Sequence, residues 1–285
     1  MSAKVVDGRK IAEKIKNDVS KQVKELSKRY DIRPNITTIK IGNDPSSELY
    51  LKLRDKACER VGIKSNHIEY SDDVSQDKIY NKIKSLNEDD DVHGILIQFP
   101  VPAHLEQDIL VDLINPKKDV EGFNPENMGK TLIGDEQIIP CTPLSVLTII
   151  ENEEVDLKGK DVVIVNHSNI VGKPLAALFL NRNASVSVCH VFTKDMKRYT
   201  SNADILISAA GVANLIKADY VKNDAFVIDV GIIKTENGIC GDVDFDSVKE
   251  KAGVITPVPG GVGPVTVAVS LNNMIKTFLN CVEDK

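Results

Sequence analysis

The chain has 285 residues, enough for one large or two ordinary domains with real cores, and its 42% hydrophobic and 27% charged content is that of a soluble protein. A net charge of −6 without a basic run argues against nucleic acid, and no apolar run approaches the ~18 residues of a membrane span or forms a signal peptide, so a cytoplasmic location is expected. Five widely spaced cysteines (Cys58, Cys141, Cys189, Cys240, Cys281) without a CxxC fit reduced thiols and exclude a disulfide framework or a metal site.

Helical and strand patterns alternate along the whole chain, which predicts an α/β protein with largely parallel strands. Residues 8–30 carry Ile11, Ile15, Val19 and Val23 in one helical stripe. A β-branched strand follows at 35–41, then Asp44-Pro45 predicts a capped helix to about residue 60, ended by Gly62. A short strand is expected at 68–70, a helix at 75–87, a buried strand at 94–97 closed by the prolines after Gln98, and a helix at 104–115. The stretch 116–142 has few periodic signals and is expected to hold active-site and inter-domain residues. A helix at 143–152 then leads to the apolar strand Asp161–Val165, a Gly-containing turn and a helix from about Gly172 to Asn181. Further strands are expected at 185–189, 205–208, 225–229 and 254–256. This strand–turn–helix–strand opening reads as a Rossmann-type nucleotide domain. The expected division is therefore a first domain at 1–142, a nucleotide domain at 143–265, and a last helix within 266–285 (about 266–281) that packs back on the first domain.

The segment Thr256-Pro-Val-Pro-Gly-Gly-Val-Gly-Pro-Val-Thr266 reads as a shaped loop, because two prolines fix φ and the glycines permit close backbone approach. Bare amides at a following helix, expected from about Val265, suit a planar or anionic ligand; a generic turn is the alternative. The same chain carries Lys118-Asp-Val-Glu-Gly-Phe123, Gly94-Ile-Leu-Ile-Gln-Phe-Pro-Val-Pro102 and Pro140-Cys-Thr-Pro143. Together these motifs resemble the methylenetetrahydrofolate dehydrogenase/cyclohydrolase family nearly end to end. The resemblance implies a folate domain followed by an NAD(P) domain, a tetrahydrofolate derivative as substrate, and a homodimer.

In the first βα turn, Val165-Asn-His-Ser-Asn-Ile-Val-Gly172-Lys-Pro is not GxGxxG, and by itself it is a weak dinucleotide signal. Family members commonly read Gly-Arg-Ser-x-x-Val-Gly-x-Pro here. Ser168, Val171, Gly172 and Pro174 match, whereas Asn166 and His167 depart. Arginine is the fork that grips a ribose 2′-phosphate, and it is missing. Val191 stands after His190 where NADP users carry Arg or Ser, so NAD is favoured over NADP, although Lys194 lies nearby and no acidic residue ends the second strand. The resemblance assigns Asn166, His167, Ser168, Val171, Gly172, His190, Val191 and Ile232 to the cofactor.

On the folate side it assigns Tyr50, Gln98, Glu121, Gly261, Gly263, Pro264 and Thr266 to the substrate, with Tyr50, Arg54, Gln98 and Glu121 catalytic. Tyr50 corresponds to a tyrosine that stacks on folate. Arg54, four residues on and hence on the same helix face, replaces a catalytic lysine, and Lys52 and Lys56 point well away from that face. Gln98 corresponds to a glutamine that bonds the lysine and orients water. Glu121 replaces an aspartate that receives the pterin N–H donors, and it is also placed to pair with residue 54. Hydride loss from 5,10-methylene-tetrahydrofolate needs positioning and no proton removal. Hydrolysis of the methenyl bridge needs an activated water, and arginine effectively never deprotonates. The expectation is therefore dehydrogenase activity with cyclohydrolase weak or absent. Two alternatives are the fully bifunctional enzyme, with Arg54 positioning water, and a non-catalytic folate- or nucleotide-binding regulatory subunit.

Overall fold

The computed structural model describes residues 2–43, 45–236 and 238–283, and all their side chains except those of residues 45–47 and 49. The chain divides into two compact units. One comprises Glu13–Lys130, Glu136–Cys141 and Val267–Lys285, and the other Met1–Ala12, Thr131–Asp135 and Thr142–Thr266. The expected boundaries at 142 and 265 are thus corrected at the N-terminus. Strand β1 (Lys4–Val5) joins the sheet of the second unit, and helix α1 (Gly8–Tyr30) begins there and continues in the first. A two-residue strand carries no periodic signal, so only the pairing partner reveals it.

In the first unit, β2 (Asn35–Ile41), α2 (Pro45–Val61), β3 (Lys64–Tyr70), α3 (Gln76–Glu88) and β4 (Gly94–Ile97) form a parallel sheet ordered β3-β2-β4 with its crossover helices. The cap expected at Asp44 lies outside the described residues. Gly62 ends α2 at φ +94°, in the left-handed region that glycine adopts without steric cost. Successive side chains of a strand alternate between faces. Ile39 and Ile41 of β2 and Ile95 and Ile97 of β4 therefore pack on one face, with Ile79 and Ile83 of α3. Ile36 and Leu96 pack on the other, with Ala57, Cys58 and Val61 of α2 and with Leu271 and Phe278 of the last helix.

The helix expected at 104–115 is only α4 (Gln107–Asp112). Asn115 precedes a proline, which disfavours helical backbone, and its side chain instead caps a 3-10 turn at Pro116–Lys118. The stretch 116–142 also contains α5 (Pro125–Leu132), started by Asn124, whose Oδ1 accepts from Glu126 N, with Pro125 at the first helical position. That start signal is in the sequence, although the apolar period that would have supported it is short.

The second unit runs through α6 (Cys141–Asn152), β5 (Asp161–Val165), α7 (Gly172–Asn181), β6 (Ser185–Cys189), α8 (Met196–Thr200), β7 (Ile205–Ser208) and β8 (Phe226–Asp229). An antiparallel hairpin follows, β9 (Ile233–Thr235) with β10 (Gly238–Cys240), then α9 (Phe245–Lys249) and β11 (Val254–Ile255). The main sheet is parallel in the order β1-β11-β8-β7-β5-β6. The chain leaves β5 for β6 on one side and returns to β7 on the other, so the topological switch point, where open α/β sheets bind ligands, falls after β5 and β7.

Helix α10 (Val262–Glu283) starts earlier than expected. Gly263 and Pro264 lie in its first turn, where a missing proline N–H breaks no helical bond, so the shaped loop is confined to residues 256–261.

Candidate functional site

At the switch point, the side chain of Asn166 does the work that glycines do in a GxGxxG turn. Its Oδ1 accepts from Ser168 N at 2.7 Å, Ser168 Oγ at 2.8 Å and Gly172 N at 3.0 Å. Its Nδ2 donates to Ala209 O at 2.7 Å, tying the turn after β5 to the loop after β7. Ser168 Oγ in turn accepts from Val171 N. A Cβ on Gly172 would lie 2.1 Å from Asn166 O, so only glycine lets α7 begin this close to the strand. Asn166, Ser168, Val171 and Gly172 thus come together as the sequence implies, although the Asn166 amide builds the turn instead of facing outward.

His167 and His190, at the ends of β5 and β6, stack with ring centroids 4.6 Å apart. His190 Nδ1 accepts from Phe192 N, which orients the ring. Val191 is 87% exposed, and Phe192 and Ile232 are exposed as well. A Cβ on Gly263 would lie 3.9 Å from Ile232 Cδ1, which brings one residue expected for the cofactor beside one expected for the substrate. A close-packed glycine turn at a ten-residue helix N-terminus, flanked by exposed apolar and aromatic side chains, fits a dinucleotide.

Sequence reading missed two buried carboxylates that shape the neighbouring loops. Asp229, at the end of β8, accepts from Gly231 N, Asp242 N and Val243 N. Asp242 accepts from Ser208 Oγ, Ala210 N and Val212 N. Burial pushes the Asp229 carboxyl up to about 6, against the pull of its backbone donors. The available signal was the pairing of each aspartate with a nearby glycine. A Cβ on Gly241 would overlap the Asp229 carboxylate, and one on Gly231 that of Asp242.

The 256–261 loop includes a cis Val258–Pro259 bond and closes through Gly261 N to Pro257 O at 2.8 Å. Helix α1 starts against it, and a Cβ on Gly8 would overlap Gly261 O. Thr266 is buried, with its hydroxyl bonded to Ser145 Oγ and Val262 O, so it fixes the start of α10 through internal bonds.

In the first unit, four residues of Lys118–Phe123 have defined parts. Buried Lys118 Nζ donates to Leu86 O and Asp89 O at the end of α3. Asp119 accepts from Gly122 N, Asn124 N and Asn127 Nδ2, folding the loop. Gly122, at φ +74°, leaves room for the backbone of Ile139 and Pro140. Between them, Glu121 meets α2.

Arg54 is the largest fully buried side chain, 2% exposed, and its Nη2 lies 2.7 Å from Glu121 Oε1, whose side chain is 16% exposed. Its guanidinium carbon stacks 4.6 Å from the centroid of the Tyr50 ring. Tyr50, Arg54 and Glu121 are therefore brought together, and Cys141 adjoins them, its N donating to Glu121 O. Burial opposes the Arg54 charge, but Tyr50 and Glu121 outweigh it and hold the proton on. Burial raises the Glu121 carboxyl, with Arg54 pulling it back down, and raises the Tyr50 hydroxyl and the Cys141 thiol. Among the described residues, Arg54 Nε and Nη1 are buried without a hydrogen-bond partner, an arrangement that suits an added acceptor.

Gln98 follows β4 and donates from Nε2 to Phe99 O, ahead of the cis Phe99–Pro100 bond. Its Oε1 is buried and has no partner among the described residues. Among the described residues it makes no hydrogen bond to Arg54, which points to Glu121 instead.

Two family models match: the catalytic domain of tetrahydrofolate dehydrogenase/cyclohydrolase over residues 6–121, and its NAD(P)-binding domain over residues 140–281. The chain is 51% identical over 281 residues to the bifunctional protein FolD of Methanosarcina barkeri, covering 99% of this chain and 96% of that one. The crystal structure of a bifunctional FolD from Campylobacter jejuni aligns with a TM-score of 0.96 at 44% identity, covering 98% of this chain and 99% of that one. The Trypanosoma brucei FolD, complexed with NADP cofactor and inhibitor, aligns with a TM-score of 0.93 at 35% identity, covering 98% of each chain. These full-length matches show that the chain belongs to the tetrahydrofolate dehydrogenase/cyclohydrolase family.

Proposed function

We propose that this chain is a bifunctional methylenetetrahydrofolate dehydrogenase and methenyltetrahydrofolate cyclohydrolase. The observation that carries the reading is the buried Tyr50–Arg54–Glu121 cluster, with its unsatisfied Arg54 donors, in the unit matched by the family's catalytic domain. The expectation of a weak or absent cyclohydrolase rested on arginine's inability to release a proton. Relatives matched along the whole chain are bifunctional, which favours the two-activity alternative.

For oxidation, the nicotinamide cofactor accepts a hydride from the bridging carbon of the methylene compound when bound. The protein's part is placement. Tyr50 offers a ring face for the pterin, Glu121 an acceptor edge for its N–H groups, and Arg54 a fixed positive charge that offsets part of the cost of burying Glu121. Ile232, His167 and the Asn166 turn serve the cofactor.

NAD is favoured over NADP, because the positions able to grip a 2′-phosphate carry a histidine pair in ring contact, with no arginine fork, and an exposed valine. A homodimer, implied by the resemblance, belongs to the same proposal and is tested by light scattering. No helix among the described residues is long and apolar enough to cross a membrane.

The test is to assay both half-reactions. Nicotinamide reduction with methylene-tetrahydrofolate reports the first. Enzyme-dependent loss of methenyl-tetrahydrofolate absorbance, in a buffer that does not itself catalyse hydrolysis, reports the second. Reduction without hydrolysis restores the dehydrogenase-only reading, and neither activity leaves the non-catalytic subunit.

A further inference from the structure

If the chain hydrolyses the methenyl bridge, some group must take a proton from water, and Arg54 cannot. Its guanidinium is held protonated by Tyr50 and Glu121, and its Nη2 donates to Glu121 Oε1. The sheet supplies another amine.

Strand β2 pairs with β4 in parallel register, Thr38 opposite Leu96 and Ile39 opposite Ile97. The ladder continues one step further, since Gln98 N donates to Ile39 O at 2.9 Å. The next residues in register are Lys40 and Gln98, on strands about 4.8 Å apart. The pleat places them on the same face as Ile36 and Leu96. That is the face on which Tyr50 packs, while Ile39, Ile41, Ile95 and Ile97 line the opposite one.

Lys40 is therefore the neighbour of Gln98 at the carboxyl ends of the strands, where an open α/β sheet binds its ligand. It is 8% exposed, and its Nζ meets Glu48 Oε1 of α2 at 3.4 Å; the other oxygen of Glu48 lies 4.0 Å from Lys52. A lysine so buried on a strand whose other residues are uncharged is unusual without a use. Beside it, Gln98 Oε1 is buried and lacks a donor among the described residues.

We propose that Lys40, and not residue 54, exchanges the protons of the hydrolytic half-reaction. The inference rests on the bifunctional reading. Lys40 enters the step as the free amine, its ammonium proton first passed to solvent and regained from solvent after turnover. Water then bonds through its oxygen to the bridging carbon and gives one proton to that amine, while its second O–H donates a hydrogen bond to Gln98 Oε1. The carbinol then collapses, with cleavage of the carbon–N5 bond. Lys40 returns its proton to N5, and the carbinol hydroxyl proton leaves to solvent. One water is consumed and one proton released, with no change of oxidation state. Glu48 holds the amine in place and takes no part in bond making.

The test compares full-length wild type, Lys40→Met and Lys40→Arg in both assays, with a folate titration for each. Both variants are expected to lose cyclohydrolase by the roughly 10²–10⁴-fold of a positioned acid–base group, with dehydrogenase kcat and folate affinity kept within about threefold. Lys40→Arg keeps the charge beside Glu48 but not the exchangeable proton, and so separates proton transfer from folding or electrostatics. Full hydrolysis in Lys40→Arg, or a parallel fall of both activities in both variants, overturns the assignment. So does unchanged hydrolysis in Lys40→Met, and in that case the bifunctional reading survives. A wild type that reduces nicotinamide but hydrolyses nothing removes the bifunctional reading itself, and this inference with it.

Discussion

Replacing Arg54 by methionine isolates the energetics of the buried pair. The side chain is 2% exposed, fits a volume that an unbranched apolar chain can fill, and is bonded to Glu121 at 2.7 Å. Removing one partner of such a pair typically costs about 3–5 kcal/mol, because the other charge is left buried alone. Two contributions place the estimate toward the lower end. Arg54 Nε and Nη1 are already unsatisfied, at about 1–3 kcal/mol each, and that penalty disappears with the guanidinium. Glu121 can escape its isolation by taking up a proton. Burial already raises its carboxyl and Arg54 is the strongest influence pulling it down, so the variant's folded state binds that proton more tightly than the unfolded chain does. For a carboxyl raised in this way, stability is greatest below the unfolded value and falls as pH rises through the folded value. Arg54→Met should therefore be destabilised by about 3 kcal/mol near pH 8 and by clearly less near pH 5. The double variant Arg54→Met/Glu121→Gln, which leaves no charge, should recover to within about 1.5 kcal/mol of wild type. Equilibrium urea unfolding followed by circular dichroism at both pH values measures this, provided the slope of the displaced transition is unchanged. A pH-independent loss, or a double variant no more stable than the single one, would show that Glu121 is not the stranded charge.

Glu121→Gln alone should weaken folate binding by about 1.5–3 kcal/mol while nucleotide binding barely changes, because the amide presents a donor where the pterin needs acceptors; unchanged affinity in a direct titration removes Glu121 from the site. Wild type should use NAD at least as efficiently as NADP, and Arg at positions 167 and 191 should favour NADP by at most about 1.5–3 kcal/mol per charged bond gained. A wild-type preference for NADP of about tenfold or more in kcat/KM refutes that reading. Asp229, raised to about 6 by burial, contributes stability that is greatest below about pH 4 and is lost as pH rises toward about 6, a change on the order of 2–3 kcal/mol. Comparing the pH dependence of Tm for wild type and Asp229→Asn should show that component vanish from the slope, and identical slopes would rule it out.

What the sequence alone determined was local or periodic. The apolar stripe of residues 8–30, the β-branched run at 35–41 and the buried strand at 161–165 each carry a period or composition that admits one conformation, and each element stands where it was expected. Tyr50 and Arg54 share a helix face by spacing alone, and the pairing of residue 54 with Glu121 followed from placing opposite charges in one pocket. Tertiary structure decided what depends on partners distant in the chain. Strand β1 exists because β11 pairs with it, and α4 stops short because the 3-10 turn after Asn115 replaces its last turn. Asn166 substitutes for glycines by accepting three hydrogen bonds within its turn, a role that a one-letter motif cannot express. Asp229 and Asp242 shape two loops through bonds to backbone amides that no side-chain pattern marks. Lys40 reads as an ordinary charged residue until the β2–β4 register sets it beside Gln98, because sequence gives the alternation of a strand's faces but not which neighbour it pairs with or in what register.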